Sequence, residues 1–325
     1  MEPRRLTITD VARVARVSRA AASRVINGRP GVAVDVRQRV RRVIDDLGYR
    51  PNPAARALAT GRTDVVDLVV VGCPTGNFGT NPYYGRVVAG VLSALADTSA
   101  HMRLHRVTAE DAPALLARIA ATPDLGALLV NASADAAAPV RDRVVSMHTS
   151  APGVPFVDTD NEAGASAAVQ HLVERGRRRI AGLHGPRAHP CAVQRHDGYL
   201  DAMRAAGLRP VSGGGDFTRE VGYAETMRLL TEQPDLDAFF AACDLTAIGA
   251  LQAIAETGRR VPDDVALVGF DDSLVAACAN PPMTTVRQPV EEMAAAAARA
   301  LLERRLHLGW QQMFPAELVV RLSSG

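Results

Sequence analysis

Apolar residues recur at helical spacing in three segments between residues 8 and 47. Thr7 and Asp10 match a capping box, so the pattern predicts a first helix that begins at Ile8. Ser18 can cap a second helix, and a third fits residues 34–47 and stops at Gly48. The predicted inward-facing residues are Ile8, Val11, Ala12, Ala15, Ala22, Val25, Ile26, Val36, Val40, Val43, Ile44 and Leu47.

The first two predicted helices are joined by a short turn at Arg16 and Val17. This spacing is typical of a helix-turn-helix, whose second helix lies in the DNA major groove. The predicted exposed face of that helix carries Ser18, Arg19, Ala20, Ser23 and Arg24. Arginine can fork onto a guanine edge, although a surface arginine can also be merely solvated.

The charge distribution favours the DNA-binding alternative. Residues 1–63 contain 14 Arg and 5 acidic residues, a net charge of +9, whereas the whole chain carries +2, which leaves −7 for the remainder. The sequence contains no lysine, so Arg supplies every fixed positive side-chain charge. A basic segment ahead of an acidic body indicates that only the first 63 residues bind a polyanion.

From residue 64 onward, short β-rich runs alternate with helical patterns. The predicted strands cover residues 65–71, 127–130, 154–157, 180–183, 238–241 and 265–268, and the predicted helices cover 84–96, 164–175, 195–206 and 245–257. Such alternation predicts parallel sheets covered by helices on both faces. Ligands of these folds bind at the carboxyl ends of the strands.

Length and composition narrow the class of protein. A chain of 325 residues suits two or three domains. No uncharged apolar run of about 18 residues and no secretory signal occurs, so we expect no membrane span and a cytoplasmic location. Cys73, Cys191, Cys243 and Cys278 are scattered, which favours buried free thiols over a zinc site or disulfides. We expect no metal and no cofactor.

Several motifs resemble the LacI/GalR (lac-repressor) family of bacterial transcription regulators. In the head they are T-x-x-D-V-A, V-S, R-V-I-N and N-P-A-A-R-x-L, within residues 7–58. Across the rest of the chain they are N-P-Y-Y, V-D-T-D-N, H-L-V-E-R-G-R-R-R-I, A-C-D-L-T-A-I-G-A, V-P-D-D-V-A-L-V-G-F-D-D, P-P-M-T-T-V-R-Q-P and E-L-V-V-R. The resemblance implies an all-α helix-turn-helix head, a hinge helix, and an α/β two-lobed periplasmic-binding-protein-like core with parallel sheets.

The same resemblance implies the domain boundaries. The head covers residues 1–50 and the hinge covers 51–63. The N-terminal lobe of the core covers 64–160 plus 290–316, and the C-terminal lobe covers 161–289 plus 317–325. We expect the chain to cross between lobes near Asp160-Asn161 and near Gln288-Pro289, and the last strand to return at residues 317–322.

The predicted hinge helix is short. Asn52 can cap it, Pro53 suits its first position and Gly61 ends it, so it should be marginal alone in water. The resemblance implies that it forms on operator DNA beside its dimer mate, where Leu58 wedges into the minor groove. The full predicted DNA-contacting set is Thr7, Ser18, Arg19, Ala20, Ser23, Arg24, Asn27, Asn52, Arg56 and Leu58.

Two features of the head depart from the family pattern. Arg16 stands where the turn usually has glycine. Ala20, Ala21 and Ala22 replace longer side chains, which leaves Arg19 and Arg24 with more of the base reading.

The resemblance also implies an effector pocket. Tyr84 and Phe217 would form opposing aromatic walls, and Arg195 and Asp271 would clamp polar groups of the ligand. Asp244 is either a ligand contact or, as we favour, the N-cap of a helix that begins at Leu245. The predicted effector set is Tyr84, His189, Arg195, Phe217, Asp244 and Asp271. Cys191 neighbours that set, and Cys243 stands where sugar-sensing members often have asparagine.

Enzymatic interpretations are weaker. G-C-P-T-G-N-F-G lacks the lysine and hydroxyl residue of a phosphate loop. Cys191 near His189 and His196 imitates a nucleophile pair without an orienting third group. We therefore expect a dimeric repressor that binds a near-palindromic operator and a sugar or sugar derivative. The alternatives are a nucleoside- or purine-responsive regulator and a solute-binding protein without regulatory DNA binding.

Overall fold

The computed structural model describes residues 6–26, 30–49, 64–73, 75–148 and 151–325. The chain forms two compact units, Met1–Asp64 and Val65–Gly325. The predicted hinge helix lies outside the described residues, as do the DNA contacts predicted at Asn27, Asn52, Arg56 and Leu58. Within the described ranges, no helix combines the length and apolar character that a bilayer span requires.

The first unit contains the three predicted helices, α1 (Ile8–Val14), α2 (Arg19–Ile26) and α3 (Val34–Leu47). The predicted capping box between Thr7 and Asp10 is confirmed, and in it the Thr7 backbone N–H donates to Asp10 Oδ2 at 3.0 Å; the Thr7 hydroxyl donates to the same oxygen at 2.7 Å. Ser18 Oγ accepts from the Ala21 N–H at 3.1 Å and so caps α2. These local bonds fix where α1 and α2 begin.

The three helices share one small apolar core. Its buried members are Val11, Ala15, Val25, Val40 and Val43. Arg39 Nε donates to the Ala15 carbonyl at 3.0 Å and so ties α3 to the end of α1. The α1–α2 turn follows directly, and it places Arg16 at φ 53°, in the left-handed region that favours glycine.

The second unit contains two parallel sheets with helices packed on them, which we call the first and second lobes. The first-lobe sheet has the order β11-β5-β4-β3-β1-β2. Its strands are β1 (Val65–Val71), β2 (His101–Val107), β3 (Gly126–Val130), β4 (Val144–Met147), β5 (Phe156–Thr159) and β11 (Gln311–Phe314). The interior strands β1 and β3 are apolar and buried, as strands covered on both faces require.

Five helices accompany this sheet: α4 (Thr75–Thr80), α5 (Pro82–Leu95), α6 (Ala112–Ala120), α7 (Ala134–Ala137) and α13 (Val290–Leu302). α5 and α13 pack closely, because a Cβ at Gly90 would lie 2.3 Å from the Glu291 carbonyl oxygen. This contact joins the start of the lobe to a helix that returns much later in the chain.

The second-lobe sheet has the order β12-β10-β9-β8-β6-β7, in which only β12 is antiparallel to its neighbour. Its strands are β6 (Ile180–His184), β7 (Val211–Gly214), β8 (Ala238–Ala241), β9 (Ala266–Asp271), β10 (Thr284–Arg287) and β12 (Glu317–Val319). Its helices are α8 (Asn161–Glu174), α9 (Pro190–Ala205), α10 (Arg219–Glu232), α11 (Asp244–Glu256) and α12 (Leu274–Cys278).

The chain changes sheets three times: between β5 and α8, between β10 and α13, and between β11 and β12. The residue-level domain boundaries stay a prediction. The crossings bring the carboxyl ends of the strands of both sheets to one cavity.

Candidate effector site

A cavity of about 300 Å³ lies between the two lobes of the second unit. Its first-lobe lining consists of Gly72, Cys73, Asn81, Tyr83, Tyr84, Asn131 and His148. The rest of its lining consists of Pro186, His189, Cys191, Arg195, Gly215, Asp216, Phe217, Cys243, Asp271 and Gln288. The volume is at the lower end of the range for small-molecule sites, about 300 to 1,000 Å³.

The structure brings five of the six predicted effector residues to this cavity. They are Tyr84, His189, Arg195, Phe217 and Asp271. Their roles as ligand contacts stay predictions. The same space is also lined by residues that the sequence did not single out: Asn81, Tyr83, Asn131, His148, Asp216 and Gln288.

Asp244 does not belong to the cavity lining. It is buried, and its carboxylate accepts from the Ser273 N–H at 2.7 Å, the Ser273 hydroxyl at 2.8 Å and Thr285 Oγ1 at 2.6 Å. The predicted N-cap role is wrong, because α11 begins at Asp244 and Cys243 is its N-cap, with Sγ accepting from the Thr246 N–H. Burial, and then the neighbouring Asp271 carboxylate, raise the pKa of Asp244 to about 7.

Arg195 is held rigidly at the cavity wall. Its three guanidinium nitrogens donate to Asn161 Oδ1 at 2.8 Å, the Ala242 carbonyl at 2.6 Å and Gln288 Oε1 at 2.7 Å. The guanidinium also lies 3.8 Å from the centre of the Phe270 ring. A cation fixed in this way presents its charge without losing side-chain freedom on binding.

Asp271 faces Arg195, with 3.5 Å between its Oδ1 and Arg195 Nη1. Burial raises the pKa of the Asp271 carboxyl, and the Arg195 and Arg86 charges oppose that rise. Arg86 donates to the backbone carbonyls of Asp271 and Gln288, at 2.8 and 3.0 Å, and pairs with both Glu291 oxygens at 2.8 Å. Arg86 was not predicted from the sequence, because its partners are far away along the chain.

Aromatic side chains come from both lobes. Tyr84 stacks on Phe78, with ring centres 5.4 Å apart, and its hydroxyl accepts from Asn131 Nδ2 at 3.2 Å. Phe217 comes from the second lobe and packs on Gly185, where a Cβ would lie 2.3 Å from two ring carbons. Flat apolar faces beside a few polar groups suit a sugar ring or a nucleobase.

Tyr83 and His148 form a second polar wall in the first lobe. The Tyr83 hydroxyl lies 3.0 Å from His148 Nε2, and His148 Nδ1 lies 2.8 Å from Asp158 Oδ1. Asp158 is fully buried, and His148 has φ 74° at the end of β4. The N-P-Y-Y motif contains Tyr83, although the residue predicted from it was the second tyrosine, Tyr84.

Three of the four cysteines line the cavity: Cys73, Cys191 and Cys243. Burial raises the pKa of Cys191 to about 11 and that of Cys243 to about 12. Both thiols are therefore protonated near neutral pH, and a thiol is a far weaker nucleophile than a thiolate. In the part of the chain that the structure describes, no cluster of His, Cys, Asp and Glu could hold a metal ion.

The candidate DNA-reading face lies on the first unit. Ser18, Arg19, Ala20 and Arg24 are exposed on or just before α2, and Ser23 is partly buried. Thr7 is exposed, but its hydroxyl is bonded to Asp10. These positions are compatible with the predicted base and phosphate contacts, which stay predictions.

Family models and known proteins agree with this arrangement. Residues 7–52 match the model described as bacterial regulatory proteins, lacI family, and residues 169–324 match a periplasmic binding protein-like domain. The HTH-type transcriptional regulator CelR of Thermobifida fusca is 41% identical over 314 residues, 93% of this chain and 92% of CelR. The ribose operon repressor of Halalkalibacterium halodurans is 29% identical, with 97% of this chain and 96% of the repressor covered.

Two solved structures extend the likeness to three dimensions. A complex of the transcriptional regulator CelR with cellobiose has a TM-score of 0.72 and 36% identity, covering 98% of this chain and all of that one. A lac repressor dimer bound to operator and the anti-inducer ONPF has a TM-score of 0.82 and 25% identity, covering 98% of this chain and 99% of that one. Because the similarity spans the head and the core alike, this chain belongs to the LacI family of bacterial regulatory proteins and is a DNA-binding transcriptional regulator.

Proposed function

We propose that this protein is a cytoplasmic homodimeric repressor whose operator affinity changes when cellobiose, or a closely related glucose disaccharide, occupies the cavity between its lobes. The observation that carries the proposal is the cavity itself, which has aromatic walls from both lobes and a fixed Arg195 opposite Asp271. The likeness to the CelR–cellobiose complex supplies the ligand class.

The polar groups of the cavity suit a polyol. Arg195 can only donate hydrogen bonds, the Asp271 carboxyl oxygens can accept them, and Asn81, Asn131 and Gln288 can do both. A sugar hydroxyl both donates and accepts, so neighbouring hydroxyls can satisfy this mixed set while the ring faces pack on Tyr84 and Phe217.

DNA binding is assigned to the head. Arg19 and Arg24 would read base edges, and Thr7, Ser18, Ala20, Ser23, Asn27, Asn52 and Arg56 would complete the half-site contacts. Leu58 would wedge into the centre of the operator. A two-fold dimer requires a near-palindromic site.

Lobe closure around the effector would link the two sites. A ligand shifts operator affinity only if the two lobe arrangements bind DNA differently. Catalysis is not part of the proposal, since the named relatives are transcriptional regulators.

Two measurements on the purified full chain test the proposal. Thermal unfolding is followed with cellobiose, maltose, glucose, ribose, adenosine and hypoxanthine, because a ligand at a hundred times its Kd adds about 2.7 kcal/mol to stability. Operator affinity, on a site selected from random DNA, is then measured by fluorescence anisotropy with and without the stabilising ligand.

We expect cellobiose to stabilise the protein more than maltose does and to change operator affinity. If only adenosine or hypoxanthine stabilised the protein, the effector would be a nucleoside or purine and the sugar proposal would fail. Sugar binding without salt-sensitive operator binding would indicate a solute-binding protein.

A further inference from the structure

Asp158 fixes the proton positions of a chain of hydrogen bonds that ends in the cavity. Its Oδ1 accepts from the Thr159 backbone N–H at 2.8 Å and from Asn161 Nδ2 at 3.0 Å, and both groups can only donate. The same oxygen lies 2.8 Å from His148 Nδ1. A carboxylate oxygen in this position accepts, so His148 carries its proton on Nδ1.

In the tautomer with its proton on Nδ1, the other nitrogen of His148 is an acceptor. The Tyr83 hydroxyl lies 3.0 Å from this Nε2 and can donate to it. The two rings stack with centres 6.0 Å apart, which holds this geometry. Burial raises the pKa of Tyr83, so its hydroxyl stays protonated and its proton points to His148. The lone pairs of the Tyr83 oxygen remain for the cavity.

Asn161 continues the chain to the opposite wall. Its Oδ1 accepts from Arg195 Nε at 2.8 Å while its Nδ2 donates to Asp158. The amide cannot be reversed, because Arg195 has no acceptor and the Asp158 carboxylate has no donor. One buried carboxylate, Asp158, is therefore connected through His148 to Tyr83, an acceptor on the first-lobe wall. Through Asn161 it is connected to Arg195, a donor on the opposite wall.

We propose that Tyr83 is a specificity-determining residue that selects an effector with a hydroxyl donor at the first-lobe wall, and that His148 and Asp158 are the positioning residues that impose this choice. The inference rests on the proposed sugar effector and names the hydrogen-bond polarity that the cavity demands. An ether oxygen, a fluorine or a carbonyl at this wall would place its lone pairs against those of the Tyr83 oxygen. That oxygen would then accept no hydrogen bond from the ligand, which costs binding free energy.

The tautomer can be measured without any ligand. The full chain is labelled with ¹⁵N-histidine, and long-range ¹H–¹⁵N spectra assign the protonated nitrogen of each ring, with His148 identified by its loss in His148→Phe. We expect His148 to carry its proton on Nδ1. A proton on Nε2 would overturn the relay, because His148 would then donate to Tyr83 rather than accept from it.

The selectivity is measured with cellobiose and a set of its monodeoxy-monofluoro analogues, in which fluorine replaces one hydroxyl and cannot donate. For wild type we expect the positions that discriminate to include one that depends on Tyr83, at which the fluorinated analogue binds about tenfold more weakly than cellobiose, a difference of about 1.4 kcal/mol. Tyr83→Phe should lose that preference at the same position. If every position discriminates equally in the two proteins, Tyr83 does not select the effector.

His148→Phe separates the positioning role from simple packing. Without the Nε2 acceptor, the Tyr83 hydroxyl can turn and donate to the ligand, so the penalty for fluorine at that position should shrink at least threefold. His101→Phe, at an exposed histidine of β2, is the control and should keep the wild-type pattern. An unchanged penalty in His148→Phe would contradict the relay.

Failure of this inference is distinguishable from failure of the proposed function. If wild type does not bind cellobiose, the proposed ligand class fails, while the His148 tautomer still decides whether the relay exists. If wild type binds cellobiose but no fluorinated position depends on Tyr83, the specificity inference fails and the sugar proposal stands. Should Tyr83→Phe fail to fold, the His148 tautomer still decides whether the relay exists; should His148→Phe fail to fold, the comparison of wild type with Tyr83→Phe still decides the specificity.

Discussion

Arg86 of the first lobe donates to the backbone carbonyl of Asp271 in the second lobe, at 2.8 Å. The Asp271 side chain lines the cavity, whereas its backbone has φ 122° and that of Asp272 has φ 50°. Such positive φ values cost about 1 to 3 kcal/mol each for a non-glycine residue and persist only where neighbours hold them. Arg86 is thus one link between the cavity wall and helices α5 and α13.

We predict that Arg86→Leu weakens the coupling between effector and operator. The change removes the hydrogen bonds to Asp271, Gln288 and Glu291, so the free energy of unfolding should fall by about 2 kcal/mol. The ratio between the operator affinities measured without and with cellobiose should be at least fivefold smaller than in wild type, as measured by fluorescence anisotropy. This outcome follows if Arg86 holds only one of the two lobe arrangements.

Arg287→Leu is the control for this prediction. Arg287 is half exposed and pairs with the Asp272 carboxylate at 2.8 Å. It therefore contacts the residue next to Asp271, and the hydrogen bond from Arg86 to the Asp271 carbonyl stays intact in this variant. It should lower stability by less than about 1 kcal/mol and leave the coupling unchanged. Equal coupling in wild type and Arg86→Leu would show that Arg86 is only a structural link.

The pH dependence of stability should contain a contribution from Asp244. Its folded-state pKa is raised to about 7, above the value of 3.8 expected when exposed. Between these values the unfolded chain releases the proton and the folded protein retains it. The contribution is therefore fully present below about pH 4 and is lost as pH rises to about 7.

Asp244→Asn should flatten this slope. The Asn carbonyl can still accept from Ser273, and Thr285 can turn its hydroxyl to accept from the new amide, so the fold tolerates the change. Urea unfolding at pH 5 and at pH 7.5 measures the difference. Asp142→Asn, at an exposed carboxylate, should keep the wild-type slope. A variant slope equal to that of wild type would rule out Asp244 as its source.

Gly185 should control the position of the Phe217 wall. A methyl group at residue 185 would overlap the ring, since its carbon would lie 2.3 Å from Phe217 Cε1 and Cζ. Gly185→Ala should therefore displace the ring and weaken cellobiose binding about tenfold, measured by isothermal titration calorimetry. Gly79→Ala, which meets no atom within 4 Å, should bind as wild type does. Undiminished affinity in Gly185→Ala would place Phe217 outside the binding surface.

Among the described strands, the sequence predicted three of the four interior strands of each sheet, missing β4 and β10, and of the four edge strands it predicted β12. The apolar run of β1 reads clearly as a strand because it is buried on both faces. In the part of the sheet that the structure describes, the edge strand β2 pairs with β1 alone and is mostly exposed, so its sequence H-M-R-L-H-R-V lacks both a continuous apolar run and a strict alternation. The same reasoning applies to β7, which lies at the other sheet's edge and pairs with β6.

Site residues that directly follow strands or stand in family motifs could be predicted from the sequence. Site residues that act through partners distant along the chain could not. Phe217, Arg195 and Asp271 come from motifs with a known place in the family. The start of α11 was misplaced by one residue because a thiol, a weak acceptor, caps it at Cys243. Arg86 and His148 act through Glu291, Asp271 and Asp158, and neither local periodicity nor composition reports such pairings.

The exposed arginines of α2 lead to a final prediction about DNA. If Arg24 reads a base, Arg24→Ala should lower affinity for the selected operator by about 1 to 3 kcal/mol and affinity for scrambled DNA by much less. Alanines at positions 20 to 22 offer no side-chain hydrogen bonds, so few neighbours can compensate. Arg42→Ala, an exposed change on α3, is the comparison.

Titrations at several salt concentrations distinguish a phosphate contact from a base contact. Losing a phosphate contact reduces the slope of log affinity against log salt by about one. Losing a base contact reduces the difference in affinity between operator and scrambled DNA. Equal losses on both DNAs with a reduced slope would make Arg24 a phosphate contact and move base reading to Arg19.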